Sequence, residues 1–381
     1  MAGGADRYVA DLATRLVDRG HVVDVVCPKA SPLLKSCELR DGVTVNRFKN
    51  FHGPFWFNWL AENLMALFIL AKLNRRGEEM VVVLCHSFLW PAVWLFRKQT
   101  LFSFHGPWAE EYRSSQKAVP RSKGLQRLDQ AIASFMQSIE HSALDGCREV
   151  LVVSEFSRRM LPNWHPGFHR SVVVVGAGVS LETFQIVKDR TQMREVLGIE
   201  QGDFLLLTVR RLAPRMGLMT LVEAMRRAVE IEPRLKLTIA GKGVLESALR
   251  EQITKLGLET QIRLFGYVPE SQLPALYSAA DCSVIPSTEL EGFGLSALES
   301  LACGTAVIAS DLGGLPEILE PLSPTLLITP GSAQELSEKL VNIARGDESL
   351  PSSKACRDYV EMRFNWGNTV RGFEKAARRM G

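Results

Sequence analysis

Short apolar runs alternate with helix-period segments along most of the chain. In the first half the runs are Val22–Val26, Val81–Cys85, Leu101–Phe104, Glu149–Val153 and Val172–Val175. In the second half they are Phe204–Val209, Leu235–Ala240, Ile262–Phe265, Cys282–Ile285, Thr305–Ala309 and Leu326–Ile328. Continuous β-branched runs suit strands covered on both faces, as in parallel sheets. Strands that alternate with helices predict βαβ units. Val9, Leu12, Ala13, Leu16 and Val17 recur at helical spacing, and Gly20 supplies a stop. A second helix carries Leu218, Leu221, Val222 and Met225, and a third runs from Gly294 to Cys303 before Gly304. The pattern predicts an α/β chain with one doubly wound sheet in each half. The glycines of Gly176-Ala177-Gly178 supply a hinge between them, and Arg363–Arg379 reads as a helix beyond the second sheet. Such a domain ordinarily starts with a strand that feeds a Gly-rich turn. Here Gly3-Gly4 stands almost at the start and a helix follows directly, so a strand beside Val22–Val26 is expected to be lacking, as from a misplaced start codon or a fragment.

Length and composition fit this picture. A chain of 381 residues exceeds the ~250–300 at which one hydrophobic core stops growing, which favours two domains. A formal net charge of +3 is too small to argue for nucleic acid. Seven scattered cysteines, with no C-x-x-C pair, give neither a zinc site nor a disulfide framework and suit a reducing cytosol. No basic-then-apolar leader opens the chain. The longest apolar stretch, Phe55–Leu73, is interrupted by Asn58, Glu62, Asn63 and Lys72, too often to span a bilayer comfortably. The expectation is a cytoplasmic protein, soluble or attached to the inner face of a membrane.

The densest chemical signal runs from Ser287 to Gly304. It follows a predicted strand and opens a helix. Gly292 and Gly294 allow close backbone approach to a ligand, and a helix N-terminus favours an anion such as a diphosphate. Glu291 in the loop and Glu299 in the helix are expected to point toward the strand ends, where open α/β sheets bind ligands. Carboxylates there accept hydrogen bonds from the vicinal hydroxyls of a sugar or ribose. By themselves the two glutamates fit a plain βα turn equally well.

Glu291 and Glu299, with Gly292-Phe293-Gly294-Leu295 between them, resemble the E-x7-E signature of retaining GT-B glycosyltransferases of the family 4 (glycosyl transferases group 1) type. Further short matches occur in the family's order. Gly3-Gly4, the following helix and His21 resemble its Gly-Gly loop and G-H-x-V strand. Phe104-His105-Gly106-Pro107-Trp108 resembles its H-G turn, and Val152-Val153-Ser154 its strand end ahead of the hinge. Arg211-Leu212 through Gly217, Gly241-Lys242-Gly243 and Gly313-Gly314-Leu315-Pro316-Glu317 resemble its R-L…K-G segment, G-x-G loop and G-G-x-P-E turn. The resemblance covers essentially the whole chain.

It implies two Rossmann-like domains facing a cleft: an acceptor-binding domain at 1–176, a nucleotide-sugar domain at 177–360, and a C-terminal helix at 361–381 returning to the first. It implies transfer of a sugar from a nucleoside-diphosphate donor to a hydroxyl of a glycan or glycolipid, with retention, in polysaccharide or cell-envelope glycan synthesis. Glu299 would hold the ribose, Glu291 the transferred sugar and Arg211 the diphosphate, and His105 would help to position the sugar. Gly3, Gly4, Gly292, Phe293, Gly294 and Leu295 would line the donor. No cofactor beyond the co-substrate is implied. The family is usually metal-independent, and the chain offers no D-x-D pair. One departure matters: Met216 stands where the family usually has a lysine, so the phosphate charge would fall to Arg215 or, better placed after a strand, Lys242.

For the acceptor, the aromatic stretch at 51–73 and the cations Arg113, Lys117, Arg121, Lys123 and Arg127 could meet an anionic membrane. A domain helix and a solvated loop are the plainer explanation, favoured for the loop cations. His86 stands open between acceptor contact and core. A catalytically weakened, glycan- or partner-binding relative is the other reading. A dinucleotide oxidoreductase is disfavoured because no G-x-G-x-x-G opens a helix.

Overall fold

The computed structural model describes residues 4–50, 55–76, 80–116 and 122–379. These form two compact units. One takes the described residues of Met1–Glu110, Gly124–Ala177 and Trp366–Gly381; the other takes those of Glu111–Lys123 and Gly178–Asn365.

The first unit holds strands β1 (Asp24–Pro28), β2 (Cys37–Arg40), β3 (Val43–Phe48), β4 (Val82–Leu84), β5 (Thr100–Phe104), β6 (Glu149–Val152) and β7 (Val172–Val174). They make two sheets, ordered β1-β3-β2 and β4-β5-β6-β7. The second is wholly parallel, and β5 is buried along its whole length. Strand β1 starts two residues later than the apolar run suggests, because Val22 is exposed. The β2–β3 hairpin is antiparallel, and no apolar run foretells it. Its turn is Asp41-Gly42, both at positive φ (50° and 77°), the backbone that an Asp-Gly hairpin turn requires. Among the described residues no further strand lies beside β1, which pairs with β3 alone, and β4 pairs with β5 alone.

The Gly4–Asp18 helix buries Tyr8, Leu12 and Ala13. The Trp366–Arg378 helix lies against it: Tyr8 and Trp366 ring centroids are 5.2 Å apart, and Arg19 pairs with Glu374 at 2.7 Å. The helix expected over Arg363–Arg379 is present as Trp366–Arg378. The Ser353–Arg363 helix stops at Phe364, whose amide bonds the Val360 carbonyl, and the last helix starts afresh at Trp366.

The second unit is one parallel six-stranded sheet ordered β10-β9-β8-β11-β12-β13. Its strands are β8 (Phe204–Val209), β9 (Leu235–Ala240), β10 (Ile262–Gly266), β11 (Cys282–Ile285), β12 (Val307–Ser310) and β13 (Leu327–Ile328). Leu205, Leu206, Leu207, Val284 and Val307 are fully buried, as the unbroken apolar runs require. From β8 the chain winds outward to β9 and β10; from β11 it winds the other way. The order therefore reverses between β8 and β11, and the crevice beyond their carboxyl ends is where such sheets take ligands.

Candidate functional site

Four loops of the second unit meet at that point. The β8 loop and the β9 loop lie side by side: the Arg210 amide bonds Ala240 O, Leu212 bonds Lys242 O, and Leu245 bonds Leu212 O, each at 3.0 Å. The contact is so close that a Cβ on Gly241 would lie 1.9 Å from Arg210 O, and one on Gly243 2.3 Å from Leu212 O. Across the switch point, Gly217 sits under β11, where a Cβ would lie 1.7 Å from Pro286 O. The β12 loop closes the set, since the Gly314 amide bonds Glu291 O at 3.1 Å. Leu290, just before Glu291, has φ 51°, which is unusual for a residue with a side chain.

Glu291 is held on two sides. Its Oε2 accepts from Arg210 Nη2 at 2.7 Å and from Ser287 Oγ at 2.8 Å. The pair is mostly out of water, with Arg210 6% and Glu291 15% exposed. Burial pulls the Arg210 guanidinium below its ordinary pKa, and the neighbouring Glu291 opposes that shift. Nε and Nη1 of Arg210 are buried with no hydrogen-bond partner among the described residues. Glu299, in the Leu295–Ala302 helix, is 4% exposed, and its Oε2 accepts from the Tyr277 hydroxyl at 3.0 Å.

The expected cations divide into used and unused. Arg211 and Lys242 are exposed, and neither side chain has a partner among the described residues. Arg215 does not join them. Its guanidinium is largely buried and donates to Leu290 O at 2.6 Å, so it braces the turn before Glu291 rather than offering free charge. Met216 points into the hydrophobic core of this unit. Phe293 is buried with its ring 6.2 Å from Phe364, so at this position only backbone is available to a ligand. Gly292, Gly294 and Leu295 complete the turn; Gly294 has φ 100° and begins the helix that carries Glu299.

His105, Gly3 and Gly4 belong to the first unit. Gly3 lies outside the described residues, and Gly4 opens the first helix. His105 follows β5, with Nε2 3.3 Å from Ser103 Oγ and its ring 5.1 Å from Tyr8. Burial first, then His86, push it down to about 4, against the pull of Asp6, so the imidazole is neutral at neutral pH. His86 acts locally, where its Nδ1 accepts the Phe88 amide at 3.1 Å and caps a short turn. Of the cations named for a membrane, Lys117 and Arg121 lie outside the described residues. Among the described residues no group of three or more His, Cys, Asp or Glu side chains could hold a metal ion.

Sequence reasoning missed Arg210, Ser287 and Tyr277. Ser287 stood inside the quoted run. Arg210 stood beside Arg211, and only the way the chain leaves β8 decides which of the two turns inward.

Known proteins resemble the chain along its whole length. Residues 2–183 match the model for Glycosyltransferase Family 4, and residues 189–361 that for Glycosyl transferases group 1. The chain is 30% identical to a D-inositol 3-phosphate glycosyltransferase of Geodermatophilus obscurus, over 82% of this chain and 71% of that protein. It is 27% identical to an uncharacterized glycosyltransferase of Methanocaldococcus jannaschii, over 100% and 96% respectively. Among solved structures, sucrose-phosphate synthase of Thermosynechococcus elongatus superposes with a TM-score of 0.83 at 23% identity, covering 100% of this chain and 94% of that one. HepE of Anabaena, in complex with UDP and glucose, superposes with a TM-score of 0.75 at 20% identity, covering 98% and 95%.

Proposed function

This chain belongs to the group 1 glycosyltransferases of the family 4 type, and we propose that it moves a sugar from a nucleoside-diphosphate donor to a hydroxyl of a glycan or glycolipid with retention. Its fold is GT-B, with two Rossmann-like units. The observation that carries the donor reading is the pair of unused cations, Arg211 and Lys242, on mutually hydrogen-bonded loops at the switch point. As the bond from the anomeric carbon to the phosphate breaks, negative charge grows on the departing diphosphate. Cations placed there favour that transition state. Lys242 takes over the role of the lysine that Met216 replaces. Glu291 binds hydroxyls of the transferred sugar, and Glu299 binds the ribose. The acceptor oxygen attacks from the face the phosphate leaves, and its proton passes to a departing phosphate oxygen.

The test is calorimetry with a panel of nucleoside diphosphates, including UDP, followed by donor turnover. Glu299→Gln is expected to weaken donor binding roughly tenfold to a hundredfold, because a hydrogen bond to a charged group is worth about 1.5–3 kcal/mol. An unchanged Kd would remove Glu299 from the donor. Absence of binding to every diphosphate would favour the weakened relative.

One surface supports a lipid-linked acceptor, reached at a membrane face. Helix Phe55–Asn74 exposes Trp56, Phe57, Leu60, Leu64 and Phe68, mostly four residues apart, while Asn63, Ala66 and Leu70 on its other side are buried. Large apolar side chains in one stripe beside Lys72 and Arg75 suit the interface of an anionic bilayer. No helix described is long and apolar enough to cross a membrane. Leu64→Glu with Phe68→Glu should lower co-sedimentation with phosphatidylglycerol vesicles at least about tenfold, since each buried side chain of this size contributes about 1.5–3 kcal/mol. Equal sedimentation of wild type and variant would end the membrane reading.

A further inference from the structure

Arg210 stands out among the polar side chains of the second unit. A guanidinium has five N–H donors in a fixed plane. Among the described residues only Glu291 engages it, at Nη2 and 2.7 Å, while Nε and Nη1 are buried without a partner there. Buried donors are nearly always satisfied in folded proteins, and one that is not asks for an explanation such as an absent ligand. The place of this side chain supplies one. It leaves the first position after β8, at the switch point, and its bound nitrogen holds the same carboxylate oxygen that Ser287 holds. Arg211, the next residue, is exposed, so the two adjacent arginines serve different places: one turned outward, one turned under the Glu291 turn.

We propose that Arg210 is a specificity-determining residue of the donor site: it fixes Glu291 through the ion pair, and its Nε–H and Nη1–H are completed by oxygen atoms of the transferred sugar. The proposal rests on the donor reading above, and adds that the sugar is read by a carboxylate and a guanidinium together. Glu291 accepts from sugar hydroxyls and Arg210 donates to sugar oxygens, a complementary pair able to distinguish one hydroxyl arrangement from another. A site built to hydrogen-bond a hydroxyl discriminates strongly against an analogue that lacks it, because its own buried groups are then left unpaired. The phosphates are left to Arg211 and Lys242.

The test compares the free nucleoside diphosphate with the sugar nucleotide in wild type, Arg210→Lys and Arg210→Met. Both variants are expected to bind the diphosphate within about twofold of wild type. For the sugar nucleotide they should lose at least about tenfold in kcat/KM, with Arg210→Lys the milder. In a Glu291→Gln background the further loss from Arg210→Met should shrink, since the two groups act on one sugar. Should Arg210→Met fail to fold, Arg210→Lys carries the same comparison, because it keeps the charge and loses the planar donor set. Equal loss for diphosphate and sugar nucleotide would place Arg210 on the phosphates and overturn the proposal. Wild-type kcat/KM in both variants would make it purely structural and overturn it equally. A wild-type protein that binds none of the diphosphates would instead overturn the donor reading itself, and this proposal with it.

Discussion

Glu291→Ala should lose stability as well as turnover, and both losses should exceed those of Glu291→Gln. The alanine removes the acceptor that satisfies Arg210, whose side chain is 6% exposed and has no other partner for its terminal nitrogens among the described residues. Breaking one side of a buried pair costs about 3–5 kcal/mol, because the remaining charge stays buried and unpaired. A domain is stable by only about 5–15 kcal/mol, so the second unit should unfold at visibly lower temperature or denaturant. Glutamine keeps the shape and one acceptor, so it should fold and yet transfer sugar at least about a hundredfold more slowly, comparable to removing one preorganised group from a transition state. Free diphosphate should bind both variants nearly as it binds wild type. The pairing itself is checked by Glu291→Ala with Arg210→Met, which should be more stable than Glu291→Ala alone. A wild-type Tm for Glu291→Ala would mean that Arg210 finds another partner and that the ion pair does not hold the turn.

The Arg210–Glu291 pair lies beyond what the sequence makes legible, whereas the sheet that carries it does not. The strands of the second unit were legible because their residues are buried on both faces: Leu205, Leu206 and Leu207 give an unbroken apolar run. The β2–β3 hairpin was illegible for the opposite reason. Cys37, Glu38, Leu39 and Arg40 are mostly exposed, so no run marks the strand. Within the site, the carboxylates and glycines were visible through their spacing, which reflects a local turn. Partners from distant segments were not. Tyr277 reaches Glu299 from 22 residues away, and Arg210 reaches Glu291 from 81. Arg215 was read as free charge, but it is committed to Leu290 O by the way the β8 loop folds back on the β11 loop. Met216 is similar: a position matched by motif carries a side chain that packs into the core.

Gly313→Ala should lower kcat/KM about a hundredfold, and the reason lies in backbone rather than in any functional group. Gly313 has φ 69°, a conformation that costs a residue with a side chain roughly 1–2 kcal/mol. A Cβ there would also lie 1.8 Å from Glu291 O and 2.8 Å from its carbonyl carbon. Neither atom can swing aside as a side-chain tip would, so the β11 turn must shift or the β12 loop must peel away. Gly314 next to it bonds the same Glu291 carbonyl, which ties the two loops and transmits the displacement to the carboxylate. A misplacement of about 1 Å can cost about a hundredfold in rate. Gly331→Ala separates the two effects. Gly331 has φ 79° with nothing within 4 Å of an added Cβ, so its variant carries the conformational penalty without the collision. Gly331→Ala should therefore lower Tm modestly and leave kcat/KM near wild type, while Gly313→Ala loses both. Equal kinetics for the two folded variants would show that the Glu291 turn tolerates displacement. The sugar would then have to be positioned by groups other than Glu291.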